Sequence, residues 1–105
     1  MKYTDTQQKV KKLPEVVDSS YFKGVGIQGL WAKLVERTDT KAMYVRKDRV
    51  YEVFEIKVRE ATEIHGYQYP KQEMYPKNED FGHWAWCYSG KDAYKRAKEH
   101  YDFLP

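Results

Sequence analysis

The chain has 105 residues, the size of one domain, and carries a formal net charge of +3 from 19 basic and 16 acidic residues. Hydrophobic residues make up 41% of the sequence and aromatic residues 16%, and this composition excludes an intrinsically disordered chain. Because basic and acidic residues are interspersed, the charge permits an anionic partner but does not indicate a dedicated nucleic-acid-binding protein.

The first twenty residues are polar and rich in lysine, and Tyr3 is their only aromatic residue. They predict a flexible N-terminal arm over residues 1–20, with a short helical segment after Leu13-Pro14. Residues 21–105 are expected to form a single domain.

Two hairpins are predicted in the first half of that domain. Residues 30–37 fit either an amphipathic helix or a strand, and we favour the strand because residues 38–41 then connect it to a second β-prone segment at 42–46. A polar turn at 46–49 leads to the clearest strand, residues 50–60. There Phe54, Ile56 and Val58 alternate with charged residues, which predicts an antiparallel sheet with one buried and one solvated face.

Residues 65–80 contain two prolines and no periodicity, and they predict an unusually long loop. A further strand is expected at 81–88, with Trp84 and Trp86 on one face and Cys87 on the other. The last element is a helix that Ser89 would cap, and its buried face consists of Ala93, Ala97, Tyr101 and Leu104. The expected fold class is therefore α+β, with an antiparallel sheet of about four strands and the C-terminal helix packed on one face.

Several motifs suggest chemistry that their contexts do not support. Residues 24–29 spell G-x-G-x-x-G, but no buried strand precedes them and no βαβ unit follows. His83 and Cys87 are four residues apart on one strand, about 13 Å, which is too far for them to share a metal ion. We therefore expect no cofactor and no metal site.

An enzyme has little support in the sequence. Glu79, Asp80 and His83 could form an acid–base group, but adjacent carboxylates at a turn are usually solvated or act as caps. Cys87 lies among aromatic residues, where a thiol is usually an inert core residue. We therefore expect a protein without catalytic activity.

The aromatic content of the predicted loop and the following strand favours a protein-binding surface, because Tyr, Trp and Met are enriched in interfaces. The expected contact residues are Tyr67, Tyr69, Met74, Tyr75, Trp84 and Trp86. A loop that folds these side chains back onto the core is the alternative interpretation. Since an open sheet has edge strands, a homodimer is also compatible with the sequence.

Single-stranded nucleic-acid binding is the alternative function. It would use aromatic rings for base stacking and cations for phosphate contacts on one outward sheet face. The residues expected on that face are Tyr44, Arg46, Lys57 and Arg59.

The stretch Tyr75-Pro76-Lys77-Asn78-Glu79-Asp80-Phe81-Gly82-His83-Trp84-Ala85-Trp86 resembles a pattern in short, uncharacterised proteins of bacteriophages and mobile elements. In those proteins the pattern follows a two-hairpin segment and precedes a terminal helix, so the resemblance covers about three-quarters of the chain. It implies a small accessory protein that binds a host or phage component, and no known activity carries over from those proteins.

The location is expected to be cytoplasmic. No stretch approaches the roughly 18 apolar residues of a membrane span, and residues 1–9 have no apolar run typical of a signal peptide. Cys87 is the only cysteine, so an internal disulfide is excluded and a reducing compartment is expected.

Overall fold

The computed structural model describes residues 10–18 and 30–105. Its contacts divide the chain into two units, the smaller formed by Met1–Leu13 with Ile56–Tyr75 and the larger by Pro14–Glu55 with Pro76–Pro105. The boundary predicted between residues 20 and 21 lies outside the described residues, as does the G-x-G-x-x-G segment. That single-domain division stays a prediction.

The described residues form short strands, a 3₁₀ helix at Asn78–Asp80 and one α-helix. The strands are β1 (Val16–Asp18), β2 (Leu30–Arg37), β3 (Lys41–Arg46), β4 (Tyr51–Glu55), β5 (Lys57–Arg59), β6 (Thr62–Ile64), β7 (Tyr67–Tyr69), β8 (Gln72–Met74) and β9 (Ala85–Tyr88), and the helix is α1 (Ala93–Phe103). None of the helices in this part of the chain has both the length and the apolar character that crossing a membrane requires.

An antiparallel five-stranded sheet in the order β1-β2-β3-β4-β9 forms the larger unit, and α1 packs against it. The α+β class and the strand at 30–37 are confirmed, and the sheet has five strands in place of about four. The additional strand is β1, which pairs with β2 where a short helix was expected. Val17 of β1 is fully buried, so this part of the predicted arm belongs to the sheet.

Over β3 and β4 both faces of this sheet are buried, so the prediction of one solvated face is wrong there. Consecutive residues of a strand point to opposite faces, yet Met43 and Tyr44 of β3 are both fully buried, and so are Val53 and Phe54 of β4. On one face Met43 and Val53 pack with α1. On the other, the rings of Tyr44 and Phe54 stack at 5.7 Å.

The predicted buried face of α1 is confirmed, because all four of its expected residues are buried: Ala93, Ala97, Tyr101 and Leu104. Small alanine side chains allow the helix to lie close to the sheet. At the carboxyl end of the helix, the Lys41 ammonium donates to the carbonyl oxygens of Tyr101 at 2.8 Å and Leu104 at 2.9 Å. A cation there satisfies carbonyl groups that have no intrahelical partner.

The helix begins later than expected. Asp92, in the left-handed region at φ 58°, occupies the N-cap position that was predicted for Ser89, and it forms no side-chain cap. The Arg96 guanidinium instead donates to the carbonyl oxygens of Ser89 and Lys91. These contacts hold residues 89–91 in a turn that precedes the helix.

Hydrogen bonds or burial shift the pKa values of three residues on α1. Lys98 lies 2.6 Å from Glu36 and 3.0 Å from Asp102, and hydrogen bonds to these carboxylates raise the pKa of the lysine. The Tyr88 hydroxyl is 2.5 Å from His100 Nδ1, and burial lowers the pKa of that histidine. Burial also raises the pKa of Tyr101.

The predicted strand 50–60 is two strands that belong to different sheets. β4 lies in the larger sheet, whereas β5 pairs with β8 in the smaller unit. Val58, expected in the core, is 43% exposed. The predicted loop 65–80 is also wrong over much of its length, because it contains β7, β8 and the 3₁₀ helix.

Candidate interaction surface

The two short strand pairs of the smaller unit form one long hairpin. In β5 and β8, Lys57 lies opposite Met74; in β6 and β7, Ile64 lies opposite Tyr67. Both pairs keep the same register, so residues 57–64 and 67–74 are the two sides of a single hairpin, which we call the hairpin arm. The ladder is interrupted near Pro70, whose nitrogen carries no hydrogen to donate.

A two-residue turn closes the hairpin arm. His65 has φ 50° and Gly66 has φ 82°, so both central residues are in the left-handed region. This is the requirement of a type I′ turn, whose twist matches that of antiparallel strands. Glycine adopts such a φ without a steric penalty, and it fits the second position for that reason.

The base of the hairpin arm is anchored by the segment at residues 10–13. Lys11 N donates to Lys71 O at 2.8 Å, and Glu73 N donates to Lys11 O at 2.9 Å, which adds a short parallel bridge beside β8. The buried Glu73 carboxylate accepts the backbone N–H of Leu13 at 2.9 Å. The base is therefore held by backbone and side-chain hydrogen bonds.

The tip of the hairpin arm, residues 62–69, is exposed throughout. Because residues directly opposite each other in an antiparallel pair share a face, Ile64 and Tyr67 lie together, and Tyr69 is two residues along on the same face. Their exposed fractions are 46%, 70% and 40%. We call these three residues the apolar face of the tip.

Charged groups near the tip are largely engaged with one another or with the tyrosines. The Arg59 guanidinium lies 5.6 Å from the ring centroid of Tyr69, within the range of a cation–π contact. Lys71 Nζ and Glu60 Oε1 are 3.6 Å apart. Glu63 is opposite Gln68, on the other face of the tip, so Arg59 beside Tyr69 is the charged group that lies at the apolar face among the described residues.

The residues predicted to bind a partner fall in different environments. Tyr67 and Tyr69 are exposed on the tip, whereas Met74 is half-buried and Tyr75 is buried. Trp84 and Trp86 belong to the larger unit, where both are half-buried. The Trp84 ring lies 6.3 Å from Phe54, and the Trp86 ring lies 4.4 Å from His100.

The four residues of the nucleic-acid alternative do not share one sheet face. Tyr44 and Arg46 are in β3, whereas Lys57 and Arg59 are in β5, which belongs to another sheet. Tyr44 is fully buried, and its hydroxyl donates to Pro14 O at 2.5 Å, so it presents no ring for base stacking. The Arg46 guanidinium lies 4.5 Å from the Trp31 ring centroid.

The residues considered for catalysis or metal binding have structural roles or lie in solvent. Asp80 Oδ2 accepts the Lys77 N–H at 2.8 Å, which caps the 3₁₀ helix, and Glu79 and His83 are exposed. Cys87 was expected in the core but is exposed. Over residues 10–18 and 30–105, no group of three or more His, Cys, Asp or Glu side chains converges on a metal position.

The contribution of Ile64 to the apolar face was missed in the sequence. The signal was present: Thr62-Glu63-Ile64 and Tyr67-Gln68-Tyr69 are β-prone triplets separated by two residues, the second of which is glycine. The turn pair His-Gly is less typical of hairpins than Asn-Gly, and Pro70 favoured a loop.

Comparison of the chain with protein-family models, with curated proteins and with solved structures finds no match. The candidate surface is therefore assigned from its geometry and exposure alone.

Proposed function

We propose that the protein is a small, non-enzymatic module that binds another protein through the apolar face of the hairpin arm. The observation that carries this proposal is that Ile64, Tyr67 and Tyr69 lie side by side and exposed on one face. Tyrosine is enriched in interfaces and among the residues that dominate their binding energy. Relative to the sequence hypothesis, the proposed surface keeps Tyr67 and Tyr69 and gains Ile64.

The lack of burial on the apolar face of the tip supports this proposal. A two-stranded hairpin is marginally stable in water, and burial of one face against another element is what normally stabilises it. The tip has the alternation and turn of a regular hairpin, with its larger side chains left in solvent. A partner that covers the apolar face would supply the missing burial.

Cytoplasmic function is part of the proposal. An exposed thiol such as Cys87 stays reduced in the cytosol, whereas oxidising compartments favour disulfides between exposed cysteines.

Capture and titration test the proposed surface. The tagged chain is used to capture proteins from the source cell's lysate, with and without nuclease and at low and high salt, and the captured protein is then titrated by calorimetry. Tyr67→Ala is expected to weaken that binding by about 30-fold, which corresponds to a hot-spot loss of about 2 kcal/mol. Tyr94→Ala is the matched control, because Tyr94 is 47% exposed on α1, outside the hairpin arm.

Two outcomes would contradict the proposal. If Tyr67→Ala and Tyr94→Ala bind the captured protein equally well, the apolar face is not the contact surface. If only nucleic acid is recovered, and only at low salt, the protein belongs to the alternative class, because phosphate contacts weaken steeply as salt rises.

A further inference from the structure

The side chains of β7 have the same order of types in both directions along the strand. Read in either direction, Tyr67-Gln68-Tyr69 is aromatic, amide, aromatic. In the part of the chain that the structure describes, β6 and β7 pair only with each other, so each has an outer edge. The outer edge of a strand presents backbone groups that can pair with another strand.

We propose that the outer edge of β7 pairs with a second copy of the chain, so that two hairpin arms lie antiparallel along β7 about a two-fold axis at Gln68. The inference rests on the proposed function, since it joins the apolar faces of two copies through their Tyr67 and Tyr69 side chains. A two-fold axis at that position places Gln68 opposite Gln68 of the second copy. It also places Tyr67 of each copy opposite Tyr69 of the other, and aromatic pairs in that arrangement stabilise neighbouring strands.

Charge selects β7 over β6 for this pairing. The same two-fold operation on β6 would place Glu63 directly opposite a second Glu63, and like charges opposite each other in a sheet are destabilising. In β7 every opposed pair is uncharged, and two amide side chains can donate to and accept from each other. Four strands would then present both apolar faces on one side as a continuous surface.

The area of the contact predicts a weak, concentration-dependent dimer. With about 200 Å² for each large side chain, the exposed parts of Ile64, Tyr67 and Tyr69 amount to about 300 Å² on each arm. Edge pairing leaves these faces side by side in solvent and covers only the facing flanks of Tyr67 and Tyr69, so two arms bury well under about 600 Å², below the roughly 1,200 Å² of a stable complex. Pro70 limits the pairing to the three residues of β7, and this short contact also keeps the dimer weak.

Substitution of Gln68 by residues of opposite charge tests this arrangement in the full chain. Sedimentation equilibrium over a wide concentration range is expected to show the average mass of the wild type rising above the 12.6 kDa of one chain. Gln68→Glu and Gln68→Lys should each weaken the dimer about fivefold or more, because each opposes two like charges. An equimolar mixture of the two variants should restore association at least to the wild-type level.

Glu63→Gln is the control, since it removes a charge from the other strand of the tip and should leave self-association unchanged. Far-UV circular dichroism checks that each variant is folded, above all Gln68→Glu, whose new carboxylate would lie opposite Glu63 of the same arm. A wild type that stays monomeric at the highest concentration overturns the inference. So does a dimer whose affinity in both Gln68 variants equals that of the wild type.

Failure of self-pairing and failure of the proposed function give different results. If the wild type is monomeric and Tyr67→Ala still loses a captured foreign protein, self-pairing is wrong and the interaction surface stands. If Tyr67→Ala changes neither capture nor self-association, both proposals fail.

Discussion

Tyr67 and Tyr75 are eight residues apart, and the structure assigns them opposite roles that stability measurements can separate. Tyr75 is 5% exposed and Tyr67 is 70% exposed. With about 200 Å² for a tyrosine side chain and about 25 cal/mol per Å² of buried surface, burial of Tyr75 contributes about 5 kcal/mol. The buried fraction of Tyr67 contributes at most about 1.5 kcal/mol, and residual compactness of the unfolded chain lowers both values.

Tyr75→Ala is therefore expected to lower the free energy of unfolding by about 3–5 kcal/mol, the range for removing a buried aromatic ring. Tyr67→Ala should lower it by less than about 1.5 kcal/mol, because most of its ring already contacts water. Urea denaturation followed by far-UV circular dichroism measures both changes. Hydrogen exchange of the β5 and β8 amides shows whether the base of the hairpin arm opens. Equal losses of stability in the two variants would refute the assignment of Tyr67 to a free surface.

Two other measurements test the larger unit. Tyr44→Phe removes the hydroxyl that donates to Pro14 O, so differential scanning calorimetry should show a loss of about 1–2 kcal/mol; an unchanged melting temperature would mean that this bond contributes nothing. Burial lowers the pKa of His100, so below about pH 6.5 the unfolded chain binds more protons than the folded one. The free energy of unfolding should therefore decrease as the pH is lowered, until the folded state is also protonated. His100→Gln should reduce that fall, and identical pH profiles would contradict the cause given for it.

The elements that the sequence predicted well have patterns that local rules describe. The strand at 30–37 and its turn follow from β-prone residues beside a polar connection. The buried face of α1 follows from apolar residues spaced three or four positions apart, since that spacing places Ala93, Ala97 and Tyr101 on one side of any helix. These predictions required no knowledge of which elements meet.

The failures come from long-range arrangement. Tyr44 was expected on a solvated face, and its burial depends on what packs over the second face of the sheet, which β3 alone does not specify. The alternation from Phe54 to Val58 is real, but the chain leaves the larger sheet near Ile56, so the pattern continues on a different sheet. Periodicity reports which residues share a face and does not report whether another element covers it.

The hairpin arm shows the same limit and indicates why function is to be sought there. The alternation in β6 and β7 is what a half-buried hairpin would have, yet its apolar side chains lie in solvent. In a free monomer they add little stability and favour nonspecific association, which Pro70 and Glu63 counteract along the edges. A sequence that maintains a regular turn, an anchored base and an uncovered apolar face together is best explained by a second surface that completes the burial. The charged Gln68 variants test whether two copies of β7 first pair edge to edge, which would join two such faces into one.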